Sequence, residues 1–157
     1  MTVIRDSGSY LGKGYTGEVH GVTLDGVNYA VKDQPFRGTD RISAVALREA
    51  VALSSLIHPN IIHLYHLCAD NGRLILIMEA GQETLKQWIT RDHSPLLAMK
   101  VASQIKCTIQ FLHMNGLYHN DLLSTNIVMV DDSSTRTTLR DIRENMPLTG
   151  IFSLLLL

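Results

Sequence analysis

Cysteine, net charge and long apolar runs are all scarce in this sequence of 157 residues. The two cysteines, Cys68 and Cys107, lie far apart and are too few for a disulfide framework, so a reducing compartment is expected. The formal net charge is −1, which excludes recruitment of nucleic acid or of an anionic membrane by the field of the whole chain.

A secretory leader and a membrane anchor are not evident either. The first ten residues contain no long apolar run, and the apolar stretch 151–157 is far shorter than the ~20 residues that a spanning helix requires. Hydrophobic residues make up 45% of the chain and charged residues 18%, which is typical of a folded globular domain. We therefore expect a soluble intracellular protein of about one domain, cytoplasmic or nuclear.

The first half of the chain predicts antiparallel β-structure. The segments Leu24-Asp-Gly-Val27 and Asp70-Asn-Gly72 are strong hairpin signals, because both residues of a tight type I′ turn need positive φ angles. Strand-like segments flank these turns at 9–13, 18–23, 27–32, 61–68 and 73–78.

Helices are predicted between and after the strands. Thr39 or Asp40 can cap a helix whose apolar residues recur from Ile42 to Leu56, and the residue before Pro59 ends it. Beyond Gly81, helices are predicted at 84–89 and 96–114, and we expect Cys107 to be buried in the second. Helices segregated from an antiparallel sheet indicate the α+β class, with a boundary near Gly81.

A glycine-rich segment, LGKGYTGEV at 11–19, is the first chemical signal. Its three glycines would let backbone amides approach phosphate oxygens, although glycine turns without such a role are common. In a dinucleotide-binding fold the third glycine opens a helix, whereas Gly17 is followed by a strand and a hairpin. The loop therefore connects two antiparallel strands.

A lysine and a glutamate follow this loop. Lys32 ends the apolar strand YAVK and can point into a cleft, or it can be a solvated edge residue. Glu49 lies on the next amphipathic helix, either as the partner that keeps a buried lysine charged or as an ordinary exposed glutamate.

The segment YHNDLLSTNI at 118–127 resembles the catalytic loop of protein kinases, with matching spacing at His119, Asp121, Leu122 and Asn126. With LGKGYTGEV, YAVK, the helix glutamate, HPNI at 58–61 and the strand ending at Glu79, the resemblance covers about residues 8 to 130 in family order. The sequence is therefore similar to the eukaryotic-type, serine/threonine-like protein kinases.

This resemblance implies one kinase-like α+β domain over residues 1–157. It comprises a five-stranded antiparallel N-lobe with one inserted helix at 8–80, a partial, mainly helical C-lobe at 81–130 and a divergent tail at 131–157. No equivalent of the later kinase helices is recognisable, so we expect a shortened C-lobe, as a shortened viral gene or an alternative reading frame would give.

The implied reaction is transfer of the γ-phosphate of Mg-ATP to a protein serine or threonine hydroxyl. Asp121 would accept the hydroxyl proton, Lys32 would bind the α- and β-phosphates with Glu49 as its partner, and Asn126 would hold Mg2+. The implied ATP-binding residues are Leu11, Gly12, Lys13, Gly14, Tyr15, Thr16, Gly17, Glu18, Val19, Ala30, Lys32, Met78, Glu79, Gly81 and Val128.

Three positions depart from the family pattern. Asn120 replaces the usual arginine before the catalytic aspartate, and Leu123 stands where serine/threonine kinases place a lysine. The metal-binding D-F-G is not present as such, and Asp141 is either its counterpart as a second metal ligand or a solvated loop aspartate.

Leu123, the missing D-F-G and the absent lower lobe favour an alternative: a catalytically inactive pseudokinase or decoy that binds and regulates a complete kinase, or binds its regulator, through the face of the helix that carries Glu49 or through an exposed lower-lobe surface. A small-molecule kinase of related fold is a third reading, which YAVK and HPNI disfavour. The expected partners are thus a protein substrate or a partner kinase, without nucleic acid or membrane.

Overall fold

The computed structural model describes residues 9–14, 16–36, 42–130 and 136–140. Two compact units form within them. The first unit contains the described residues up to Ala50 together with His63–Ala80, and the second contains Val51–Ile62 and the described residues from Gly81 onwards. The predicted division at residues 80 and 130 remains a prediction.

The first unit is built on a five-stranded sheet, as predicted. Its neighbouring strands are all antiparallel and lie in the order β1-β2-β3-β5-β4. The strands are β1 Ser9–Lys13, β2 Glu18–Leu24, β3 Val27–Pro35, β4 Leu64–Asp70 and β5 Arg73–Glu79. Helix α1, Ala44–Ser55, follows β3, and its residues up to Ala50 belong to this unit.

Both predicted hairpin turns have the backbone that their residues favour. Asp25 and Gly26 have φ angles of 51° and 78°, and Asn71 and Gly72 have φ angles of 46° and 72°. Paired positive φ angles are the requirement of a type I′ turn, which matches the twist of the strands it joins. The turns therefore fix the β2–β3 and β4–β5 registers locally.

Strand β5 buries every second residue. Leu74, Leu76 and Met78 are buried, whereas the residues between them are only partly covered. This period of two places one face of the sheet in the core of the unit. Other buried apolar residues of the unit are Val19, Val22, Ala30, Val31, Ala46 and Ala50.

The second unit combines helices with a small antiparallel sheet in the order β6-β7-β8. Thr84 caps the short helix at Leu85–Trp88 through a reciprocal capping box with Gln87. Ser94 caps the long helix at Pro95–Met114 by accepting the N–H of Leu97. The elements are β6 Glu83–Thr84, α2 Leu85–Trp88, α3 Pro95–Met114, a 3₁₀ turn at Ser124–Asn126, β7 Ile127–Met129 and β8 Thr137–Leu139.

The core of the second unit lies along one apolar stripe of α3, the helix that was predicted at 96–114. Val101 packs with Trp88 and Met129, and Leu85, Leu97 and Ile105 cover this cluster. Cys107 is exposed, so its predicted burial is wrong. It lies two residues from Ile105 and so points away from the stripe, because each helical residue turns by about 100°. Within the described residues, no helix is both long and apolar enough to cross a membrane.

The segment after Pro59 differs from the prediction. Strand β4 begins at Leu64 rather than at residue 61. Ile61 instead forms a parallel bridge to Leu139, and Ile62 donates its N–H to the Leu139 carbonyl at 3.1 Å. The Asn60 side chain donates to the Gln104 Oε1 and to the Thr137 carbonyl. Pairing with β8, which is distant in sequence, therefore takes these residues out of β4.

The surroundings of His58 in the second unit predict that acid weakens the stability that this side chain provides. Its Nδ1 accepts the N–H of Asn60 at 3.1 Å, its ring stacks on Phe111, and burial lowers its pKa from 6.5. Because the pKa of His58 is lower in the folded chain, the unfolded chain binds the proton more readily. The contribution of His58 to the free energy of unfolding is therefore complete above pH 6.5 and is lost as the pH falls.

Replacing His58 with asparagine should reduce this acid sensitivity. The asparagine oxygen can still accept the Asn60 N–H, but it does not titrate between pH 7.5 and 5. Thermal melts of the two proteins across this range should show a smaller decrease in Tm for His58→Asn. Equal decreases in Tm for the wild type and His58→Asn would show that His58 is not the source of the acid sensitivity.

Candidate active site

A buried ion pair lies in the first unit. Lys32 on β3 and Glu49 on α1 are 2% and 3% exposed, and the Lys32 Nζ donates to the Glu49 Oε1 at 2.6 Å. Such a pair gives little net stability, because removing both charges from water offsets most of their attraction. Its presence therefore favours a functional role for the lysine ammonium.

The glycine loop between β1 and β2 lies close to this lysine. The Gly14 N–H donates to the Gly17 carbonyl at 2.8 Å, which closes the loop. A Cβ on Gly14 would lie 3.8 Å from the Lys32 Nζ, and one on Gly17 would lie 2.1 Å from the Asp33 carbonyl oxygen. Only glycine fits at position 17, and the bare backbone at position 14 leaves space beside the ammonium. Loop amides and an ammonium are a donor set that fits phosphate oxygens.

A third polar residue of this group was not predicted from the sequence. Gln34, also on β3, is 1% exposed, and its Nε2 donates to the Glu49 Oε2 at 2.9 Å and to the Thr16 Oγ1 at 2.8 Å. Its position two residues after Lys32 was the available signal, since alternate strand residues share a face.

Three of the apolar residues predicted to bind ATP lie on adjacent strands of the same unit. Val19, Ala30 and Met78 are all buried, and Ala30 is paired with Met78 in the β3–β5 register. The Glu79 N–H donates to the His63 carbonyl at 2.9 Å at the end of β5. Of the loop residues, Leu11 is exposed, and Lys13 forms an exposed ion pair with Glu18.

In the second unit, the predicted catalytic aspartate and asparagine are in direct contact. The Asn126 Nδ2 donates to the Asp121 Oδ2 at 3.0 Å and to the Asp121 carbonyl at 2.9 Å. The Asp121 N–H in turn donates to the Nδ1 of the buried His119 at 3.4 Å. Asn126 thus orients the Asp121 carboxylate, while His119 holds the Asp121 backbone. Because the Asn126 Nδ2 faces Asp121, the Asn126 Oδ1 is the side-chain atom that remains suited to binding Mg2+.

Asn120 and Leu123 can be understood from local geometry. Asn120 has a φ of 58°, a left-handed conformation that asparagine tolerates better than most residues. Leu123 is 55% exposed, so its side chain is not required by the core.

The predicted catalytic loop is hydrogen-bonded to Arg140, the residue before Asp141. The Arg140 N–H donates to the Asn126 carbonyl at 3.1 Å, and the Arg140 Nη2 donates to the Thr125 carbonyl at 2.7 Å. Asp141 itself and Tyr15 lie outside the described residues. Elsewhere in this unit, a Cβ on Gly81 would lie 2.7 Å from the Val128 Cβ, so Gly81 is packed closely on that valine.

Comparison with known proteins places this arrangement in a family. The protein kinase domain model matches residues 6–141. A probable serine/threonine-protein kinase of Dictyostelium discoideum is 29% identical over 79% of this chain and 14% of its own length. The seven transmembrane domain-containing tyrosine-protein kinase 1 of the same organism is 31% identical over 85% of the chain and 21% of its own length. The cell division control protein 2 homolog 3 of Trypanosoma brucei brucei is 30% identical over 80% of the chain and 42% of its own length.

The chain thus spans less than half of the length of each of these relatives. The domain match nevertheless covers most of the chain and includes both the buried Lys32–Glu49 pair and the Asp121–Asn126 contact. The five-stranded sheet followed by helices confirms the predicted α+β, kinase-like fold. The chain therefore belongs to the protein kinase family.

Proposed function

We propose that this chain binds Mg-ATP and transfers its γ-phosphate to a serine or threonine hydroxyl of a protein. The observation that carries the proposal is the buried Lys32–Glu49 pair beside the glycine loop. An ammonium held in low-dielectric surroundings beside a glycine loop is suited to the α- and β-phosphates of a nucleotide. Within the first unit, Val19 and Ala30 would contact the adenine, and the chain at Met78 and Glu79 would bind its edge.

Asp121 is the proposed proton acceptor. As the substrate oxygen bonds to the γ-phosphorus and the bond to the β–γ bridging oxygen breaks, the hydroxyl proton moves to the Asp121 carboxylate and ADP leaves. The hydrogen bond from Asn126 supports this role, since it fixes the orientation of the carboxylate. Serine or threonine specificity rests on similarity to kinases of that class.

Asn126 and Asp141 are the proposed magnesium ligands. When bound, the ion would neutralise charge on the phosphate oxygens. The amide oxygen of Asn126 suits such a hard cation. Support for Asp141 comes from its neighbour Arg140, which donates to the Asn126 carbonyl.

Leu123 favours a second candidate function. A leucine, where similar kinases have a lysine near the γ-phosphate, removes a cation from the place where charge develops. On this reading the chain binds nucleotide without transferring phosphate and acts by association with a partner kinase. Leu96, Met99 and Met114 are exposed on α3 and belong to the surface proposed for such an association.

Nucleotide binding is the first test. Mg-ATP at a hundred times its Kd should stabilise the chain by about 2.7 kcal/mol, since it binds the folded state alone. Thermal unfolding with Mg-ATP, with Mg2+ alone and with Mg-GTP measures this increase and its nucleotide preference. An unchanged melting temperature at millimolar Mg-ATP, in a sample with a cooperative unfolding transition, would refute the nucleotide binding that both candidate functions require.

A further inference from the structure

Gln34 is a polar residue in the interior of the first unit. It lies on β3 two residues after Lys32, on the same face of the strand, and is among the most deeply buried large side chains. A buried amide is costly unless it is hydrogen-bonded, so its contacts indicate why it is there.

The Gln34 Nε2 contacts both the Lys32–Glu49 pair and the glycine loop. It donates to the Glu49 Oε2 at 2.9 Å, while Lys32 donates to the Glu49 Oε1 at 2.6 Å. It also donates to the Thr16 Oγ1 at 2.8 Å, and that hydroxyl is 3.4 Å from the same Glu49 oxygen. Two residues of one strand thus hold the two oxygens of one carboxylate.

The orientation of the Gln34 amide is set by chemistry. A carboxylate oxygen can only accept a hydrogen bond, so the amide nitrogen must face it. The Gln34 Oε1 is then buried without a hydrogen-bond partner among the residues that the structure describes. A buried acceptor left in this way is unfavourable, and an apolar side chain of similar volume would avoid it. Packing alone therefore does not account for a glutamine here.

We propose that Gln34 is a positioning residue for the Lys32–Glu49 pair, an inference that rests on the proposed nucleotide-binding function. By fixing the Glu49 Oε2, Gln34 holds the other carboxylate oxygen towards Lys32. By binding Thr16, it couples the position of that pair to the glycine loop. A nucleotide that contacts the loop and the lysine therefore meets one connected set of hydrogen bonds.

Gln34→Met is the direct test, because methionine keeps the length and approximate volume but donates no hydrogen bond. Hydrogen bonds to charged groups are strong enough for this substitution to weaken Mg-ATP binding roughly tenfold. Gln110→Met, the same substitution at an exposed position of α3, should leave the affinity within about twofold and serves as the control. Isothermal titration of each full chain with Mg-ATP supplies the Kd values.

A double-mutant cycle with Glu49→Met separates positioning from packing, because methionine at position 49 cannot form a hydrogen bond with either end of the Gln34 amide. In that background the hydrogen bond between Gln34 and residue 49 is absent whichever way the Gln34 amide is turned. Gln34→Met should then change the Kd by less than about twofold, whereas a packing role would give the full loss in both backgrounds. Non-additivity supports the proposal, and additivity overturns it.

Two further measurements keep the test decisive. If Glu49→Met fails to fold, Thr16→Val provides the second cycle, since it removes the hydroxyl through which Gln34 couples the pair to the glycine loop. A smaller effect of Gln34→Met on the Kd in that background supports the coupling, and an equal effect overturns it. If the wild-type chain binds no nucleotide, the proposed function fails by itself. The Gln34–Glu49 cycle is then measured by urea unfolding without nucleotide, where coupling supports the positioning role and additivity overturns it.

Discussion

Lys32→Met should lower the free energy of unfolding by about 3–5 kcal/mol, because it leaves the Glu49 carboxylate buried without its cation. Lys32 and Glu49 are only 2% and 3% exposed, so water cannot replace the lost partner. Urea unfolding in the absence of nucleotide measures the change, with the m value as a check that the unfolded surface is comparable.

The glycine loop offers a matched control for this prediction. Lys13 pairs with Glu18 at 3.4 Å, but the two side chains are 69% and 45% exposed. Such surface pairs contribute at most about 1 kcal/mol, so Lys13→Met should have little effect. Adding Glu49→Gln to Lys32→Met should recover part of the loss, since it removes the remaining buried charge. A cost for Lys32→Met no larger than that for Lys13→Met would contradict the description of this pair.

Asp121→Asn should reduce phosphoryl transfer by about 10²- to 10⁴-fold while changing the Mg-ATP affinity little. Asparagine keeps the shape of the side chain and an oxygen that can accept the hydrogen bond from Asn126, but it cannot take the proton of the attacking hydroxyl. Single-turnover rates and binding titrations on the same preparations distinguish the two effects.

Asp25→Asn is the control for this substitution. Asp25 is exposed in the β2–β3 turn with a φ of 51°, a conformation that asparagine also adopts readily. The rate should therefore match that of the wild type. Transfer retained in Asp121→Asn would exclude Asp121 as the proton acceptor.

The fold could be predicted from the sequence wherever local rules determine the structure. Asp25-Gly26 and Asn71-Gly72 specify their turns by backbone preference, and alternation along β5 identifies its buried face. The start of β4 could not be predicted from such local rules. Ile61 and Ile62 pair with Leu139, more than seventy residues away, and neither hydropathy nor turn signals reveal such a partner.

The site shows the same division between local and distant information. Lys32 and Glu49 could be identified by motif and spacing, and the structure brings them into contact. Gln34 was missed, because the predicted strand ended at Lys32 and a polar residue just beyond a strand is equally consistent with exposure. Only the fold shows that Thr16 and Glu49 converge on it. Cys107 illustrates the reverse error, since helix membership alone does not establish burial.

The measurement that tests the central claim most directly is single-turnover transfer from γ-labelled ATP by the purified wild-type chain. The acceptors would be a serine/threonine peptide library and a tyrosine-only library, with Mg2+ present. The proposed function predicts label on the serine/threonine library, its loss in Asp121→Asn and its retention in Asp25→Asn. If a folded wild-type chain binds Mg-ATP but labels neither library, the kinase proposal is contradicted, and the non-catalytic role beside a partner kinase takes its place.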